Sequence, residues 1–537
     1  MTLNGAAVLV DTLHTAGVRR IFTLSGNQIL PIYDACLDRG IQVIDTRHEA
    51  AAAHLADAWA RLTGEPGVCL VSAGPGHTNA LTGVANAAFA ESPVLWLSGG
   101  SDLALTGTGA FQEMDQIAIA RTVCKTAWRV EDLATLPRLL ARAWRTMLEG
   151  RPGPVHLTLP ADLLRASVGA PPTTPEPSAF LPTLRPADPT LVQRALRLLA
   201  EAKRPVILAS PSASRGTNRD RLRRFSEQTG VPWFPLESPR GIGDPALHQL
   251  GATLRDADVV LLFGHLDFTV PWQGMPALGG STRLIQVTPV SVSTGARRAV
   301  AFEIEGDAGP VLEQLLALGS SQAWATAAWR EQLDTRRNEN LRAFGESERS
   351  DDVPLHPLRV VREVRQHLPS EACVSIDGGE FAQWARWGLG ESAFPTLLNG
   401  KLGMIGPAIP FALAARLAHP DRLSVAFLGD GTFGYHALEF DTAVRHGIPF
   451  VAIVGNDAAW AAERHRQVAL YGESRIVASD LRPTRYDEVV RALGGHGEFV
   501  ERPEQLGPAI ERAIAIGKPA CVNVLSRSVP SPAAGAV

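Results

Sequence analysis

The sequence contains few cysteines, and none of them are closely spaced. Its 537 residues include five cysteines that lie far apart and form no CxxC motif. A small disulfide-stapled fold and a cysteine zinc site are therefore not indicated. A reduced, cytoplasmic setting is expected.

A charge surplus and long apolar runs are also missing. The formal net charge is −4, which gives no basic surplus for binding nucleic acid or an anionic membrane. No apolar run approaches the roughly 20 residues that span a bilayer. The N-terminal segment MTLNGAAVLVDTLHTAGV lacks a basic start and predicts an amphipathic helix rather than a signal peptide. We therefore expect a protein without nucleic-acid or membrane partners.

Short apolar runs alternate with helix-like stretches along almost the whole chain. Continuous apolar runs of this length are typical of parallel strands that are buried on both faces. The pattern predicts α/β, doubly wound parallel sheets. The predicted strands are IQVIDT (41–46), GVCLVS (67–72), SPVLWLSG (92–99), RPVILAS (204–210), DVVLLFG (258–264), LSVAFLG (423–429) and PFVAIVG (449–455).

Two segments divide the chain into three predicted domains. Residues 169–190 are rich in proline and predict a linker. Residues 331–356 are highly charged and predict a helix followed by an exposed connection. The expected domains are therefore residues 1–168, 186–335 and 354–537.

Polar clusters follow two of the predicted strands in the last domain. Gly429-Asp430-Gly431 comes after LSVAFL, and Asn456-Asp457-Ala458-Ala459-Trp460 comes after FVAIV and Gly455. Ligands of parallel sheets bind at the carboxyl ends of strands. The glycines allow a diphosphate to approach the backbone, and Asp430 with a second oxygen ligand is suited to Mg²⁺. An isolated Gly-Asp-Gly is also common in tight turns.

A second pair of motifs lies near the N-terminus. Glu49 follows the strand IQVIDT at the start of a helix-like stretch, where a carboxylate often serves only as a partner for the helix dipole. The loop from Ala73 to Asn79 follows the next strand. It is suited either to cradling a ligand or to making a turn.

Together these segments resemble the acetolactate synthase family, nearest to the 2-hydroxyacyl-CoA lyases and benzaldehyde lyase. The resemblance covers essentially the whole chain and implies pyrimidine-binding, central and diphosphate-binding domains. It also implies a carbon–carbon lyase or carboligase that uses thiamine diphosphate and Mg²⁺ on 2-hydroxyacyl, acyloin or 2-keto acid substrates. The motifs that carry it are FTLSGNQILPIYDAC, DTRHEAAAAHLADAWARLTGEPGVCLVSAGPGHTNALTGVANA, GAFQEMDQ, NGKLGMIGPAIP and the Gly429–Asp457 segment.

The resemblance also implies roles for individual residues. Glu49 corresponds to the glutamate that hydrogen-bonds the pyrimidine ring nitrogen of the cofactor, and Gln112 to a polar residue that faces the substrate. Gly403 corresponds to a backbone acceptor for the cofactor amino group, and Ile405 to the bulky residue that holds the cofactor bent. The implied metal ligands are Asp430, Asp457 and the carbonyl of Ala459. Gly429 and Gly431 are implied as cofactor-binding residues.

The sequence departs from the family pattern at two places. The metal motif commonly reads Asn-Asn, whereas this chain has Asn456-Asp457. Counting from Pro449 and the preceding strand places Asp457 in the ligand position, with Asn456 as the alternative. Benzaldehyde lyase carries histidines in the first active-site loop, where this chain has Ser25 and Gln28. A histidine acid or base is therefore not expected at those two positions.

Substrate contacts are expected from Gln28, Gln112, Trp460, His465 and His77. The structural alternatives are that Trp460 is a packing residue, that His465 is a solvated helix residue, and that His77 and a further candidate, His436, are hydrogen-bonding loop residues. In the family the first domain of one subunit meets the last domain of another. A homodimer or homotetramer with its active site at the subunit interface is thus implied.

Three other functions are less consistent with the sequence. A nucleotide-binding oxidoreductase is disfavoured because no GxGxxG turn joins an early strand and helix. Acetolactate synthase proper would carry FAD in its middle domain, but DVVLLFGHLDFTVPWQG shows no flavin motif, and Thr288-Pro289-Val290 replaces the usual acidic residue after TRLIQV. FAD is possible but not supported. A non-catalytic protein is disfavoured by the presence of Glu49, Asp430 and Asp457.

Overall fold

The computed structural model describes residues 3–270, 278–289, 300–320, 322–390 and 394–532. Within these residues the strands form three sheets, and every strand pair within them is parallel. This confirms the α/β prediction. Every predicted strand named above corresponds to an observed strand within two residues at each end.

The first sheet has the strand order β2-β1-β3-β4-β6-β5. The central strands β3, β4 and β6 are buried along their whole length, as their unbroken apolar sequences require. Its strands are β1 (Arg20–Thr23), β2 (Gln42–Asp45), β3 (Gly67–Val71), β4 (Val94–Gly100), β5 (Thr126–Arg129) and β6 (Val155–Pro160). The helices are α1 (Gly5–Thr15), α2 (Leu30–Arg39), α3 (Glu49–Thr63), α4 (Pro75–Phe89), α5 (Gln116–Ala120), α6 (Leu136–Leu148) and α7 (Ala161–Arg165).

The predicted N-terminal helix is confirmed as α1, which begins after Asn4. The side chain of Asn4 accepts a hydrogen bond from the Ala7 N–H at 2.9 Å and so caps the helix. The predicted linker 169–190 is largely irregular, but it is not wholly exposed. Phe180 is buried and packs edge-on against Trp144 of α6.

The second sheet has the order β11-β10-β9-β7-β8. The charged stretch 331–356 begins in α11 and continues as a connection without a long helix, as predicted. The strands are β7 (Pro205–Ala209), β8 (Trp233–Pro235), β9 (Val259–Phe263), β10 (Arg283–Thr288) and β11 (Phe302–Glu305), and the helices are α8 (Pro189–Glu201), α9 (Gly216–Thr229), α10 (Ala308–Gly319) and α11 (Ala327–Arg342).

The third sheet has the order β13-β12-β14-β15-β17-β16, which repeats the order of the first sheet strand for strand. The strands are β12 (Cys373–Ile376), β13 (Thr396–Leu398), β14 (Ser424–Gly429), β15 (Val451–Asn456), β16 (His496–Val500) and β17 (Ala520–Leu525). The helices are α12 (Pro357–His367), α13 (Glu380–Leu389), α14 (Ala408–Ala418), α15 (Asp430–His436), α16 (Glu439–Arg445), α17 (Ala461–Tyr471), α18 (Tyr486–Ala492) and α19 (Pro503–Ala515).

The residue contacts group the chain into two units. The first contains residues up to Thr183 with Leu413–Ala418 and Asp441–His446, and the second contains the second and third sheets. The boundaries of the three predicted domains stay a prediction. The five cysteines are free thiols, as expected. Among the described residues no helix combines the length and the apolar character needed to cross a bilayer.

Candidate active site

The two polar clusters of the last domain lie side by side in the second unit. Strands β14 and β15 pair with Gly429 opposite Gly455. Asp430 therefore begins α15 directly after one strand, and Asp457 directly follows its neighbour. The parallel arrangement brings both carboxylates to the same edge of the sheet.

Asp430 has the most strongly shifted pKa of these residues. Its side chain is buried, with 2% of the residue exposed. Burial, followed by the nearby charge of Asp457, raises the pKa of Asp430 to about 7, while the N–H groups of Gly431 and Ala459 oppose this rise. Its Oδ2 atom is buried and has no hydrogen-bond partner among the described residues. Such an oxygen is costly to bury unless a donor or cation meets it.

The two residues at the end of β15 differ in their contacts. The Asn456 side chain is held by hydrogen bonds within the protein, whereas Asp457 provides a carboxylate. The Nδ2 of Asn456 donates to the Thr484 carbonyl at 3.0 Å and to Asn523 Oδ1 at 3.1 Å. Its Oδ1 accepts from the Ala458 N–H at 3.3 Å. Burial raises the pKa of the Asp457 carboxyl, and a hydrogen bond from Ser528 opposes that rise.

The backbone beyond Asp457 turns sharply. Ala458 has φ +55°, which is rare for a residue with a side chain. The residues on both sides of Ala459 are hydrogen-bonded to the segment 479–481. The Trp460 N–H donates to the Ser479 carbonyl at 2.8 Å, and the Leu481 N–H donates to the Ala458 carbonyl at 2.7 Å. The Ala459 N–H points away from that segment and donates a hydrogen bond to the Asp430 carboxylate.

Trp460 packs over the start of α15. A Cβ added to Gly431 would lie 2.7 Å from the indole ring of Trp460. Next to Gly429 there is open space, because the nearest atom to an added Cβ is the Gly455 carbonyl at 4.0 Å. The backbone of Gly429 is thus approachable from outside.

The loop that carries Gly403 and Ile405 lies beside β12. Gly403 has φ +73°, which favours glycine, and its N–H donates to the Gly400 carbonyl at 3.0 Å. A Cβ added to Gly378 would lie 2.5 Å from the Cγ2 of Ile405. The branched side chain therefore sits directly on the glycine that follows the strand end.

Asp377 anchors this loop and was not predicted from the sequence. Its carboxylate accepts hydrogen bonds from the N–H groups of Gly378, Gly406 and Ala408 at 2.7, 2.7 and 3.0 Å. Burial raises the pKa of Asp377 to about 6, against these three bonds. The signal was present, because Asp377 follows an apolar run (CVSI) just as Asp430 follows AFLG.

His465 belongs to a half-buried polar cluster rather than to a solvated helix face. Its Nε2 lies 3.1 Å from Ser528 Oγ, and its Nδ1 lies 3.8 Å from Glu380 Oε2. Burial raises the pKa of Glu380, but hydrogen bonds from His465 and Ser531 outweigh it and hold that pKa below the ordinary value. Glu380 and Ser528 were not predicted from the sequence. Glu380 lies in α13 and Ser528 in the C-terminal segment, and both are far from His465 along the chain.

In the first unit, Glu49 begins α3 and is buried, with 8% exposed. The Asn79 side chain donates to Glu49 Oε2 at 3.1 Å. A Cβ at Gly76 would lie 3.6 Å from Glu49 Oε1 and 3.3 Å from the Cβ of Ser72. The predicted loop of residues 73–79 is therefore mostly the start of α4, which begins at Pro75 and lies against this carboxylate.

The two predicted glutamines meet at the same edge of the sheet. Gln28 Nε2 donates to Gln112 Oε1 at 2.7 Å, and Ser72 donates to Gln28. A Cβ at Gly74 would lie 2.9 Å from the Cβ of Gln112, which has φ +60°. A cavity of about 720 Å³, lined in part by Gln112, Arg121 and Arg129, opens beside this pair. Ser72 was not predicted from the sequence.

His77 lies elsewhere, in the interior of the first unit. It is fully buried, stacks on Trp96 with ring centroids 4.0 Å apart, and shares a hydrogen bond with Ser98 Oγ at 2.9 Å. Burial lowers the pKa of His77 to about 4. The suggestion that His77 handles substrate finds no support in this placement. His436 is likewise buried, on α15.

The residues at the third sheet suit a divalent cation that carries a diphosphate. They offer the Oδ2 of Asp430, which has no partner among the described residues, and the carboxylate of Asp457, to which the resemblance adds the carbonyl of Ala459. Such hard oxygen ligands are the ones that Mg²⁺ prefers. Within the described chain no group of three His, Cys, Asp or Glu side chains is arranged to bind a metal. The remaining ligands would therefore come from the diphosphate and water.

Family models match all three sheets. The thiamine pyrophosphate enzyme N-terminal TPP binding domain matches residues 3–119, the central domain matches residues 192–315, and the C-terminal TPP binding domain matches residues 377–524. These matches fall on the first, second and third sheets in that order. They confirm the resemblance that the motifs indicated.

Whole-length relatives point the same way. The chain is 36% identical to the "Probable acetolactate synthase" of Mycobacterium bovis, over 98% of this chain and 96% of the relative. It is 34% identical to the human (Homo sapiens) "2-hydroxyacyl-CoA lyase 2", over 97% and 90%. It is 30% identical to the "Sulfoacetaldehyde acetyltransferase" of Alcaligenes xylosoxydans xylosoxydans, over 95% and 90%.

Proposed function

The chain belongs to the acetolactate synthase-like family of thiamine pyrophosphate enzymes, and from this membership we propose that it makes or breaks a carbon–carbon bond next to a carbonyl group. The substrates we propose are 2-hydroxyacyl, acyloin or 2-keto acid compounds, handled with Mg²⁺ as second cofactor. One observation carries the proposal: Asp430 holds a buried carboxylate oxygen without a partner among the described residues, beside Asp457.

The diphosphate end of the cofactor would be held at β14 and β15. We assign Asp430, Asp457 and the Ala459 carbonyl as the protein ligands of Mg²⁺. The three hydrogen bonds that occupy the Asn456 side chain support Asp457 rather than Asn456 as ligand. The open space at Gly429 supports a close approach of the diphosphate to the backbone of Gly429 and Gly431.

Thiamine diphosphate, when bound, supplies an electron sink for the bond that breaks next to the carbonyl. Glu49 is assigned to hydrogen-bond the pyrimidine end of the cofactor, where its carboxyl group would exchange a proton with the ring. Its burial and its hydrogen bond from Asn79 fix the position of that carboxyl. The Gly403 carbonyl would accept a hydrogen bond from the cofactor amino group, and the Ile405 side chain would limit the shape that the cofactor can adopt there.

Substrate orientation is assigned to the linked amides of Gln28 and Gln112. Both groups can donate and accept hydrogen bonds, which suits a substrate with hydroxyl and carbonyl oxygens. The cavity beside Gln112 supports this assignment. Trp460 and His465 border Asp430 and Asp457 and are proposed as further contacts.

We further propose a homodimer or homotetramer as the working form. In it Glu49 of one subunit and Asp430 of another complete one active site. This arrangement follows from the family resemblance and has a direct test, given in the Discussion.

A second candidate is acetolactate synthase proper, with pyruvate as substrate and FAD bound. The relatives that carry this name favour it. Of the segments that bear on FAD, residues 271–274 of DVVLLFGHLDFTVPWQG and Val290 lie outside the described residues. A flavin absorbance band in the purified protein would support this candidate.

Calorimetry tests the proposal directly. We expect uptake of thiamine diphosphate that requires Mg²⁺, and turnover of at least one compound among pyruvate, 2-hydroxyacyl-CoA thioesters, oxalyl-CoA and aromatic acyloins. Glu49→Gln should retain uptake but lose turnover by about 100-fold or more, because it removes a positioned acid–base group. Glu65→Gln changes an exposed acid past the other end of α3 and should behave as wild type. No uptake by the wild type would refute the proposal.

A further inference from the structure

A buried lysine stands at the beginning of the loop that carries Gly403 and Ile405. Lys401 follows β13, and its side chain is only 3% exposed. Its Nζ lies 2.7 Å from Oδ2 of Asp267, which belongs to the segment after β9 of the second sheet. A buried ammonium group is tolerated only with a partner, and here the partner comes from another sheet.

Asp267 is itself held in place. Its Oδ1 accepts a hydrogen bond from the Thr269 N–H at 2.9 Å and another from the Thr269 hydroxyl. Thr269 is fully buried, and its carbonyl accepts the Ile242 N–H at 2.9 Å. Burial raises the pKa of Asp267, but Lys401 and Thr269 outweigh it and hold that pKa below the ordinary value. The carboxylate is therefore a fixed anchor.

A polar contact joins each end of the loop between Asn399 and Gly406 to a neighbouring element. At its far end Asp377 receives the Gly406 N–H at 2.7 Å. At its near end Lys401 reaches Asp267. Between them, the Asn399 side chain donates to the Met404 carbonyl at 2.8 Å, which closes the loop on itself but ties it to no neighbouring element.

The second sheet also touches the loop next to Gly403. A Cβ added to Gly403 would lie 3.8 Å from the Cβ of Pro239. Pro239 precedes the short 3₁₀ helix Gly241–Gly243, whose Ile242 is bonded to Thr269. The ion pair and this contact therefore come from one connected part of the second sheet.

We propose that Lys401 is a positioning residue: paired with Asp267, it lets the central sheet hold the Gly403–Ile405 loop in the conformation that accepts thiamine diphosphate. The inference rests on the proposed function, which assigns Gly403 and Ile405 to the cofactor. It gives the second sheet, which carries none of the assigned cofactor residues, a direct part in cofactor binding. Without the pair, the loop would occupy the binding conformation for a smaller fraction of the time.

A matched pair exists for comparison. Arg386 of α13 and Asp244, which lies between β8 and β9, form an ion pair at 2.9 Å, with side chains 12% and 3% exposed. This pair joins the same two parts of the chain and is at least as buried, since the more exposed side chain of the Lys401–Asp267 pair, Asp267, is 30% exposed. It does not involve the loop between Asn399 and Gly406.

The experiment compares Lys401→Met, Asp267→Asn and Arg386→Met with the wild type. Binding of thiamine diphosphate at saturating Mg²⁺ is measured by calorimetry, and backbone hydrogen exchange of residues 399–406 is measured in the cofactor-free protein. If the loop is competent a tenth of the time, the Kd of Lys401→Met rises about tenfold, with faster exchange of the loop. Arg386→Met should lower the unfolding temperature but leave both readouts unchanged.

Asp267→Asn preserves size and covers the case in which Lys401→Met fails to fold. The double variant should bind no more weakly than the weaker single variant, because both remove one interaction. Unchanged Kd and loop exchange in both single variants, or an equal rise in Kd for Arg386→Met, would overturn the inference. If the wild type itself binds no cofactor, the proposed function fails, and loop exchange alone then decides whether Lys401 holds the loop.

Discussion

Two buried carboxylates of the third sheet differ in how their charge is met. Asp377 and Asp430 each follow a strand end, and burial raises the pKa of both, to about 6 and about 7. Asp377 accepts three backbone N–H bonds and is satisfied within the protein. Asp430 keeps one oxygen without a partner in the described chain. The first therefore stabilises a loop, whereas the second is suited to a ligand.

The neighbouring residues Asn456 and Asp457 should separate stability from metal binding. Asp457→Ala is expected to weaken Mg²⁺ binding about 10- to 100-fold, while cofactor-free stability changes little. Asn456→Ala removes the bonds to Thr484 and Asn523 and should lower the free energy of unfolding by about 1–3 kcal/mol. Magnesium titration at fixed thiamine diphosphate, together with urea unfolding, measures both. A larger loss of Mg²⁺ affinity in Asn456→Ala than in Asp457→Ala would contradict the assignment.

The buried histidines of the first unit predict sensitivity to acid. Burial lowers the pKa of His77 to about 4 and that of His156 well below its usual value of 6.5. The unfolded chain takes up these protons below pH 6.5 and the folded chain does not, so the free energy of unfolding falls as the pH decreases from 6.5 towards 4.

His77→Phe keeps an aromatic ring against Trp96 and removes one of these protons. We expect a shallower loss of stability between pH 6.5 and 4 than in the wild type, measured by urea unfolding of the cofactor-free protein. At pH 7.5 the variant should be about 1 kcal/mol less stable, because the Ser98 hydroxyl loses its partner. Parallel pH profiles for the two proteins would show that His77 does not contribute.

At the level of elements, the first and third sheets use the same kind of strand–helix junction. In the shared strand order, β3–α4 corresponds to β14–α15. Both junctions place glycines where a side chain would collide: Gly74 against Gln112, and Gly431 against Trp460. These glycines let side chains from neighbouring strand ends close over the junction.

Two glycines of α15 provide a paired test of this reading. Gly431→Ala places a Cβ 2.7 Å from the Trp460 ring, so the indole or the helix start must move, and thiamine diphosphate should bind about tenfold more weakly. At Gly434 no atom of the described residues lies within 4 Å of an added Cβ, and Gly434→Ala should stabilise the helix by about 0.5–1 kcal/mol. Binding isotherms and thermal unfolding of both variants give the comparison. Equal cofactor affinity in the two would argue against a close approach at Gly431.

For the whole molecule, the assigned residues are divided between two units of the chain. Glu49 belongs to the first and Asp430 to the second. The residue proposed to exchange a proton and the residue proposed to bind the metal thus lie in separate units. The proposed dimer would join Glu49 of one subunit to Asp430 of another.

Mixing two inactive proteins tests this arrangement. Glu49→Gln and Asp430→Asn are each expected to be inactive. After joint unfolding and refolding, half of the dimers should be hybrids, each with one intact and one doubly altered site, so activity should return to about a quarter of the wild type. Separately refolded samples that are then combined serve as the control. If no activity returns although hybrids are detected by mass, each site is built within a single chain.

Local sequence determined the elements of this protein and their order. Unbroken apolar runs became buried parallel strands, the N-terminal segment became α1, and the strand-end motifs led to the family that the comparisons confirm. These features are readable because each depends on neighbouring residues, through burial periodicity or a turn that needs glycine. Even the closeness of Asp430 and Asp457 followed from the rule that parallel strands end at one edge.

Only the tertiary structure decided how individual polar side chains are used. Asn456 is occupied by residues 28 and 67 positions away, and Lys401 pairs with Asp267, 134 positions away. Asp377 acts as an anchor because the polypeptide that follows the Gly403–Ile405 loop folds over it, and the sequence alone does not show this contact. Pairing across such distances depends on which loops the packed sheets bring together, and one chain's sequence carries no local signal for that choice.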